Sequence, residues 1–264
     1  MQYLLIFCLL ASFATTGQVV PIPHAHSHND YLRHPPLDLA LQNGFTSIEV
    51  DVYLHRGKLK VSHIPVGLFA KKTIEQLYLE PLQKIVERNG GTVYAGYPVQ
   101  LILMIDIKGN GAEVYTKLKQ VLAKYRNILS TYQNGVEVKP GAVQVLLSGS
   151  VPVNEVATDT FGLATIDARF SAMEDTIYSK WVTRYSSAWH KYFEWSGKGE
   201  MPQEQQLLLT KWVKKAHQQQ KQIRFYHISD KPRVWKVLLD NGVDWINTDK
   251  PARFRHFFMH EYRR

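Results

Sequence analysis

The chain has 264 residues, 45% of them hydrophobic and 21% charged, which fits one large α/β domain and excludes a disordered chain. Lys and Arg (32) outnumber Asp and Glu (23), giving a formal net charge of +9 that favours an anionic partner. Apart from Arg253, Arg255, Arg263 and Arg264 near the end, the basic residues are dispersed along the chain and form no obvious stripe with interleaved aromatics, which argues against nucleic acid.

The chain opens on MQYLLIFCLLASFATTGQ, which reads as a secretory signal. Leu4 to Phe13 form an apolar run, and small residues follow as far as Gly17. No Lys or Arg precedes the run, a departure from the usual signal. It is too short for a stable membrane span. The expectation is an exported chain, periplasmic or secreted, with signal 1–17 and a working domain over 18–264. The single cysteine, Cys8, falls in the signal, so that domain would hold no disulfide and no cysteine nucleophile.

Strand-like and helix-like segments then alternate. Strands are expected at 19–24, 46–54, 58–63, 99–108, 142–148, 162–168, 182–189, 222–228 and 244–247, most of them rich in Val, Ile and aromatics. Residues 36–43 predict a helix stopped by Gly44. Thr73 and Gln76 have capping-box spacing ahead of a helix that Pro81 divides or kinks. The stripe Tyr115, Leu118, Val121, Leu122, Tyr125 and Leu129 predicts a helix over 112–129, and Leu208, Trp212 and Ala216 one over 203–219. Asp230 is the expected cap of a last helix, with Pro232 in its first turn and Gly242 after its end. The alternation predicts a parallel sheet closed as a single, somewhat irregular (β/α)8 TIM-type barrel. An open doubly wound sheet is the alternative, but no glycine-rich nucleotide loop follows the first strand.

Three stretches carry the chemistry: His24-Ala25-His26-Ser27-His28-Asn29-Asp30-Tyr31, Glu49-Val50-Asp51 with His63 beyond it, and Asp106-Ile107-Lys108. Side chains alternate along a strand, so Glu49 and Asp51 share one face and Asp106 shares one with Lys108. Late in barrel strands, such positions converge on the open end. Three carboxylates brought together need a compensating charge, and all-oxygen ligation suits Mg²⁺ or Ca²⁺. Lys108 suits a phosphate oxygen or a carboxylate. A lone E-x-D or D-x-K is common on half-exposed strands, but three histidines at alternating positions are rarely needed for packing.

These residues resemble the glycerophosphodiester phosphodiesterase and phosphatidylinositol phospholipase C superfamily over roughly His24 to Pro251. The matching elements are His28, Glu49 with Asp51, His63, Asp106 with Lys108, and Gly242-Val243-Asp244-Trp245-Ile246-Asn247-Thr248-Asp249. Within it, His26-Ser27-His28-Asn29-Asp30-Tyr31 is similar to the H-x-H-N-D-Y branch of altered inheritance of mitochondria protein 6-like proteins. The resemblance implies a phosphoric diester hydrolase. Glu49, Asp51 and Asp106 would hold the cation, and His28 (or His26) and His63 would divide the acid–base work. Spacing to Glu49 favours His28. The substrate would be a small-molecule or lipid phosphodiester; substrate identity and oligomeric state are left open. Asn29 stands where the phosphodiesterase branch has Arg, so Arg224 or His227 is expected either to replace that phosphate contact or to be a structural strand terminus. Ser148 is expected to face the pocket, and Trp189 and Trp195 to pack in the core.

Two other readings stay open from the residues. His24, His26 and His28 could ligate a transition metal, as in H-x-H amidohydrolase or phosphoesterase barrels, although further metal-binding histidines are missing. The barrel could also belong to an exported binding protein without catalysis.

Overall fold

The computed structural model describes residues 18–64, 72–159, 161–174 and 179–263. The expected export signal at 1–17 lies outside the described residues. Eight parallel strands form the centre: β1 (Ile22–Ser27), β2 (Phe45–His55), β3 (Leu101–Ile107), β4 (Val143–Gly149), β5 (Ala164–Arg169), β6 (Val182–Ala188), β7 (Gln222–Tyr226) and β8 (Trp245–Thr248). Each pairs with its sequence neighbour, and β1 pairs with β8, so the sheet closes. The helices α1 (Asp38–Gln42), α2 (Glu80–Arg88), α3 (Gly111–Leu122), α4 (Val153–Ala157), α5 (Gln203–Gln218), α6 (Pro232–Asp240) and α7 (Pro251–Phe257) complete a TIM-type barrel.

The period-two pattern explains both sides of the wall. Ile48, Val50, Val52, Ile105 and Ile107 are fully buried in the main core, which fills the space outside the strands and under the helices. On the inside, Ile102, Met104, Leu146 and Trp245 form a separate apolar cluster that plugs the barrel below the site. At the C-terminal layer the register brings Asp51, Asp106 and Ser148 abreast on adjacent strands.

Several elements differ from expectation for identifiable reasons. Residues Lys58–Val61 form a strand, but one that folds back antiparallel on β2 across the Arg56-Gly57 turn, where both residues have positive φ. Thr73 and Gln76 make the reciprocal capping-box bonds. A wide turn over Glu75–Leu79 leads directly into α2 and leaves Pro81 in that helix's first turn, where its missing N–H costs little. The helix expected over 112–129 ends at Leu122, with a 3-10 turn over Ala123–Tyr125. Tyr125 and Leu129 are buried all the same, so the apolar stripe records burial rather than helix length. Asp230 caps nothing: its carboxylate accepts from Thr248 Oγ1 at 2.6 Å and from the Asp249 backbone N–H at 3.2 Å, tying the β7–α6 loop to the end of β8. Helix α7 follows it, so α6 is not the last.

Candidate active site

At the C-terminal mouth of the barrel lies a cavity of about 290 Å³. His28, Asn29, Glu49, His63, Asp106 and Lys108 line one side, and Arg169, Arg224, Tyr226 and His227 the other.

Two histidines are each oriented by a carboxylate. His28 follows β1, and its Nδ1 lies 2.9 Å from Asp249 Oδ1. Burial pulls the His28 imidazolium down, but the Asp249 hydrogen bond and the Glu49 and Asp249 charges outweigh it, leaving the ring above its ordinary pKa. His63 lies beyond the β2 hairpin with its Nδ1 3.0 Å from Asp51 Oδ2. With both Nδ1 atoms engaged, Nε2 is in each case the nitrogen left for chemistry.

The H-N-D-Y stretch builds the loop that holds these groups. Buried Asp30 accepts from Ser27 Oγ (2.9 Å), the Leu37 backbone N–H (2.7 Å) and Tyr78 Oη (3.0 Å), which closes the turn after β1. Tyr31 Oη donates to Asp51 Oδ2 at 2.9 Å. Asn29 sits at a left-handed φ of 46° on the cavity wall, a conformation that asparagine tolerates.

Glu49, Asp51 and Asp106 bring one carboxylate oxygen each within 4.8 Å of one another. Lys108 Nζ bridges Asp51 Oδ2 (3.2 Å) and Asp106 Oδ1 (3.0 Å), and Ser148 Oγ donates to Asp106 Oδ2 at 3.1 Å. Burial raises the Asp51 pKa; Lys108 opposes that rise, while the charges of Asp106 and Glu49 add to it. Asp51 Oδ1 is buried and, among the described residues, has no hydrogen-bond partner. Three converging oxygens and one unsatisfied lone pair fit a hard divalent cation. Gly149, with φ 76°, leaves the room: a Cβ there would collide with Asp106 Oδ1.

Beneath this rim lies a charged layer that the sequence reading did not anticipate. Arg224, only 3% exposed, donates from Nη1 to Glu49 Oε2 (2.7 Å) and Asn247 Oδ1 (3.0 Å), and from Nε to Ser186 Oγ (3.1 Å). Its Nη2 lies 3.6 Å from Asp167 Oδ2. Burial works against the Glu49 carboxylate, yet the Arg224 charge and the His26 contact hold it well below the usual carboxylate range. Fully buried Arg184 lies over the Trp245 ring, 4.6 Å from its centroid.

Several expected roles therefore change. Arg224, expected on phosphate or as a structural strand terminus, has its Nε and Nη1 taken by protein groups, with Nη2 3.6 Å from Asp167, and it supports Glu49. His26 is fully buried, with Nδ1 2.8 Å from Ser47 Oγ and Nε2 2.9 Å from Glu49 Oε2. Burial, then the Arg224 charge, keeps it neutral, and it lies behind Glu49 rather than on the cavity. Ser148 is buried against Asp106 rather than lining the cavity. His24 Nδ1 meets the Asp244 carbonyl at 2.8 Å, so His24, His26 and His28 have three separate partners and form no common metal site. Trp189 and Trp195 pack in the core, Trp189 Nε1 donating to the Trp195 carbonyl. Asp167 and Arg169 have on β5 the same period-two spacing as Asp106 with Lys108, a pattern that by itself is common on half-exposed strands. Asp249 stood inside a recognised motif without a role.

The AIM6-like phosphodiesterase domain model matches residues 13–162. The altered inheritance of mitochondria protein 6 homolog of Arthroderma benhamiae is 27% identical, over 92% of this chain and 86% of that one. Altered inheritance of mitochondria protein 6 of Eremothecium gossypii is 29% identical, over 89% and 69%. Among solved structures, a glycerophosphodiester phosphodiesterase from Parabacteroides distasonis superposes with a TM-score of 0.54 at 14% identity, covering 91% of this chain and 98% of that one. A Ca²⁺-dependent phosphatidylinositol-specific phospholipase C from Streptomyces antibioticus gives 0.55 at 13%, covering 88% and 95%. These structural likenesses establish the barrel fold.

Proposed function

The chain belongs to the AIM6-like phosphodiesterase family and is a phosphoric diester hydrolase, and from that premise we propose that its cavity cleaves a glycerophosphodiester- or phospholipid-like diester with a divalent cation and two histidines. One observation carries this reading: two carboxylate-backed histidines share a single cavity with Glu49 and Asp106 of the converging carboxylate trio. Mg²⁺ or Ca²⁺ held by Glu49, Asp51 and Asp106 would polarise a non-bridging phosphate oxygen and neutralise developing charge.

The protein groups do the rest. One of His28 and His63 removes the proton from the attacking water, or from a neighbouring substrate hydroxyl. The other returns a proton to the leaving alcohol. Asp249 and Asp51 fix the ring orientations, and Lys108 holds Asp51 and Asp106 together. Arg224 keeps Glu49 ionised under the site. The Ca²⁺ dependence of the Streptomyces phospholipase supports the cation. Export, with processing after residue 17, rests on the apolar run at Leu4 to Phe13. Among the described residues no helix is long and apolar enough to cross a membrane.

Hydrolysis of bis-(p-nitrophenyl) phosphate in Mg²⁺, Ca²⁺ or EDTA tests the proposal, with His63→Ala alongside. Turnover should require the metal and fall by about 10²–10⁴ in the variant. Equal turnover in EDTA, or by the variant, would refute it.

A further inference from the structure

Three cations line the cavity, and they differ in what they hold. Lys108 is engaged by Asp51 and Asp106 at 3.2 and 3.0 Å. Arg224 is buried and engaged by Glu49 and Asp167. Arg169, at the end of β5, is exposed at the mouth and, among the described residues, has no carboxylate within ion-pairing distance. Its guanidinium instead lies over the Tyr226 ring, 5.3 Å from the centroid.

Its location matters as much as its freedom. In the order of the closed sheet, β5 stands halfway round the barrel from β1. Arg169 therefore faces the cavity from the wall opposite His28, while the carboxylate cluster lies between them on β2 and β3. A cation beside this cavity that feels Asp167 only at longer range, and has no direct ion pair among the described residues, is suited to an anion that arrives from outside. The ring of Tyr226 restrains the guanidinium plane, so less side-chain freedom is lost when an oxyanion is gripped.

We propose that Arg169 is the substrate's anion clamp: it donates to the non-bridging oxygens of the diester from the wall facing His28. This rests on the phosphodiesterase reading for the diester itself. The underlying chemistry, a tetrahedral oxyanion on a free guanidinium, also holds for inorganic phosphate. It reassigns the phosphate contact from Arg224, in the middle of β7, to Arg169, at the end of β5.

The test titrates inorganic phosphate into the full chain in Mg²⁺ buffer by calorimetry, for wild type, Arg169→Gln and Arg169→Lys. The KM for bis-(p-nitrophenyl) phosphate is measured in parallel. Removing a charge-assisted contact should weaken phosphate binding about tenfold and raise KM by a similar factor in Arg169→Gln. Arg169→Lys, which keeps the charge and loses the fork, should recover part of both. Arg169 is exposed, so both variants should fold. Wild-type phosphate affinity in Arg169→Gln, or no phosphate binding by the wild-type chain, would overturn the proposal. Failure of the hydrolase reading would show separately, as absent turnover by the wild-type chain while phosphate binding still distinguishes the variants.

Discussion

Replacing Arg224 by methionine should expose how costly the layer under the active site is. The guanidinium is the cation that meets Glu49 (2.7 Å) and Asp167 (3.6 Å), and all three side chains are nearly or fully buried. Arg224→Met leaves both carboxylates buried without that partner. Removing one member of a buried pair costs about 3–5 kcal/mol; the loss falls mainly on Glu49, because Asp167 keeps the Arg184 charge and Ser186. For a chain of this size that is a fall of about 6–20 °C in Tm. Thermal unfolding followed by circular dichroism, in EDTA so that no metal compensates Glu49, measures it directly. The pH dependence has a definite sign. Glu49 is depressed in the folded wild type, so its contribution is present above the unfolded carboxyl value of about 4.3 and is lost as pH falls through the folded value. In the variant, burial is unopposed, and protonation at low pH relieves the stranded carboxylate. The gap between the two proteins should therefore be wide at neutral pH and close toward pH ~4. Adding Glu49→Gln to Arg224→Met should recover part of the loss at neutral pH. A variant within about 1 °C of wild type at neutral pH would show that Arg224 does not compensate the buried charges.

Four further outcomes follow from the site. Asp249→Asn removes the group that, with Glu49, outweighs burial at His28, so the His28 titration followed by NMR should move to lower pH; an unmoved titration would show that Asp249 does not set it. The same pair contributes stability that is complete below the unfolded histidine value of about 6.5 and lost as pH rises through the raised folded value, so the Tm difference between Asp249→Asn and wild type should shrink at alkaline pH. Saturating Mg²⁺ or Ca²⁺ should raise Tm by mass action, about 2.7 kcal/mol at a hundredfold excess over Kd, and Asp51→Asn should abolish most of the gain; an undiminished gain would place the cation elsewhere. Gly149→Ala should weaken the metal-induced Tm rise, because its methyl group enters the space beside Asp106 Oδ1.

Much of this molecule is written locally. The period-two alternation in Ile48-Glu49-Val50-Asp51-Val52 and Ile105-Asp106-Ile107 placed apolar side chains under the helices and carboxylates inside the barrel. The strand–helix rhythm specified a parallel sheet, and H-x-H-N-D-Y marked the loop that orients the histidines. Period and spacing are short-range properties, so one chain read in order contains them. Charge partnership across a barrel is not short-range. Whether Arg224 meets phosphate or Glu49, whether His26 faces the cavity or lies behind a carboxylate, and whether Asp230 caps a helix or braces Thr248 depend on strand register and closure. Those bring together side chains as far apart in sequence as Glu49 and Arg224, and only the closed structure decides which cation is consumed by an ion pair and which, at Arg169, has none among the described residues.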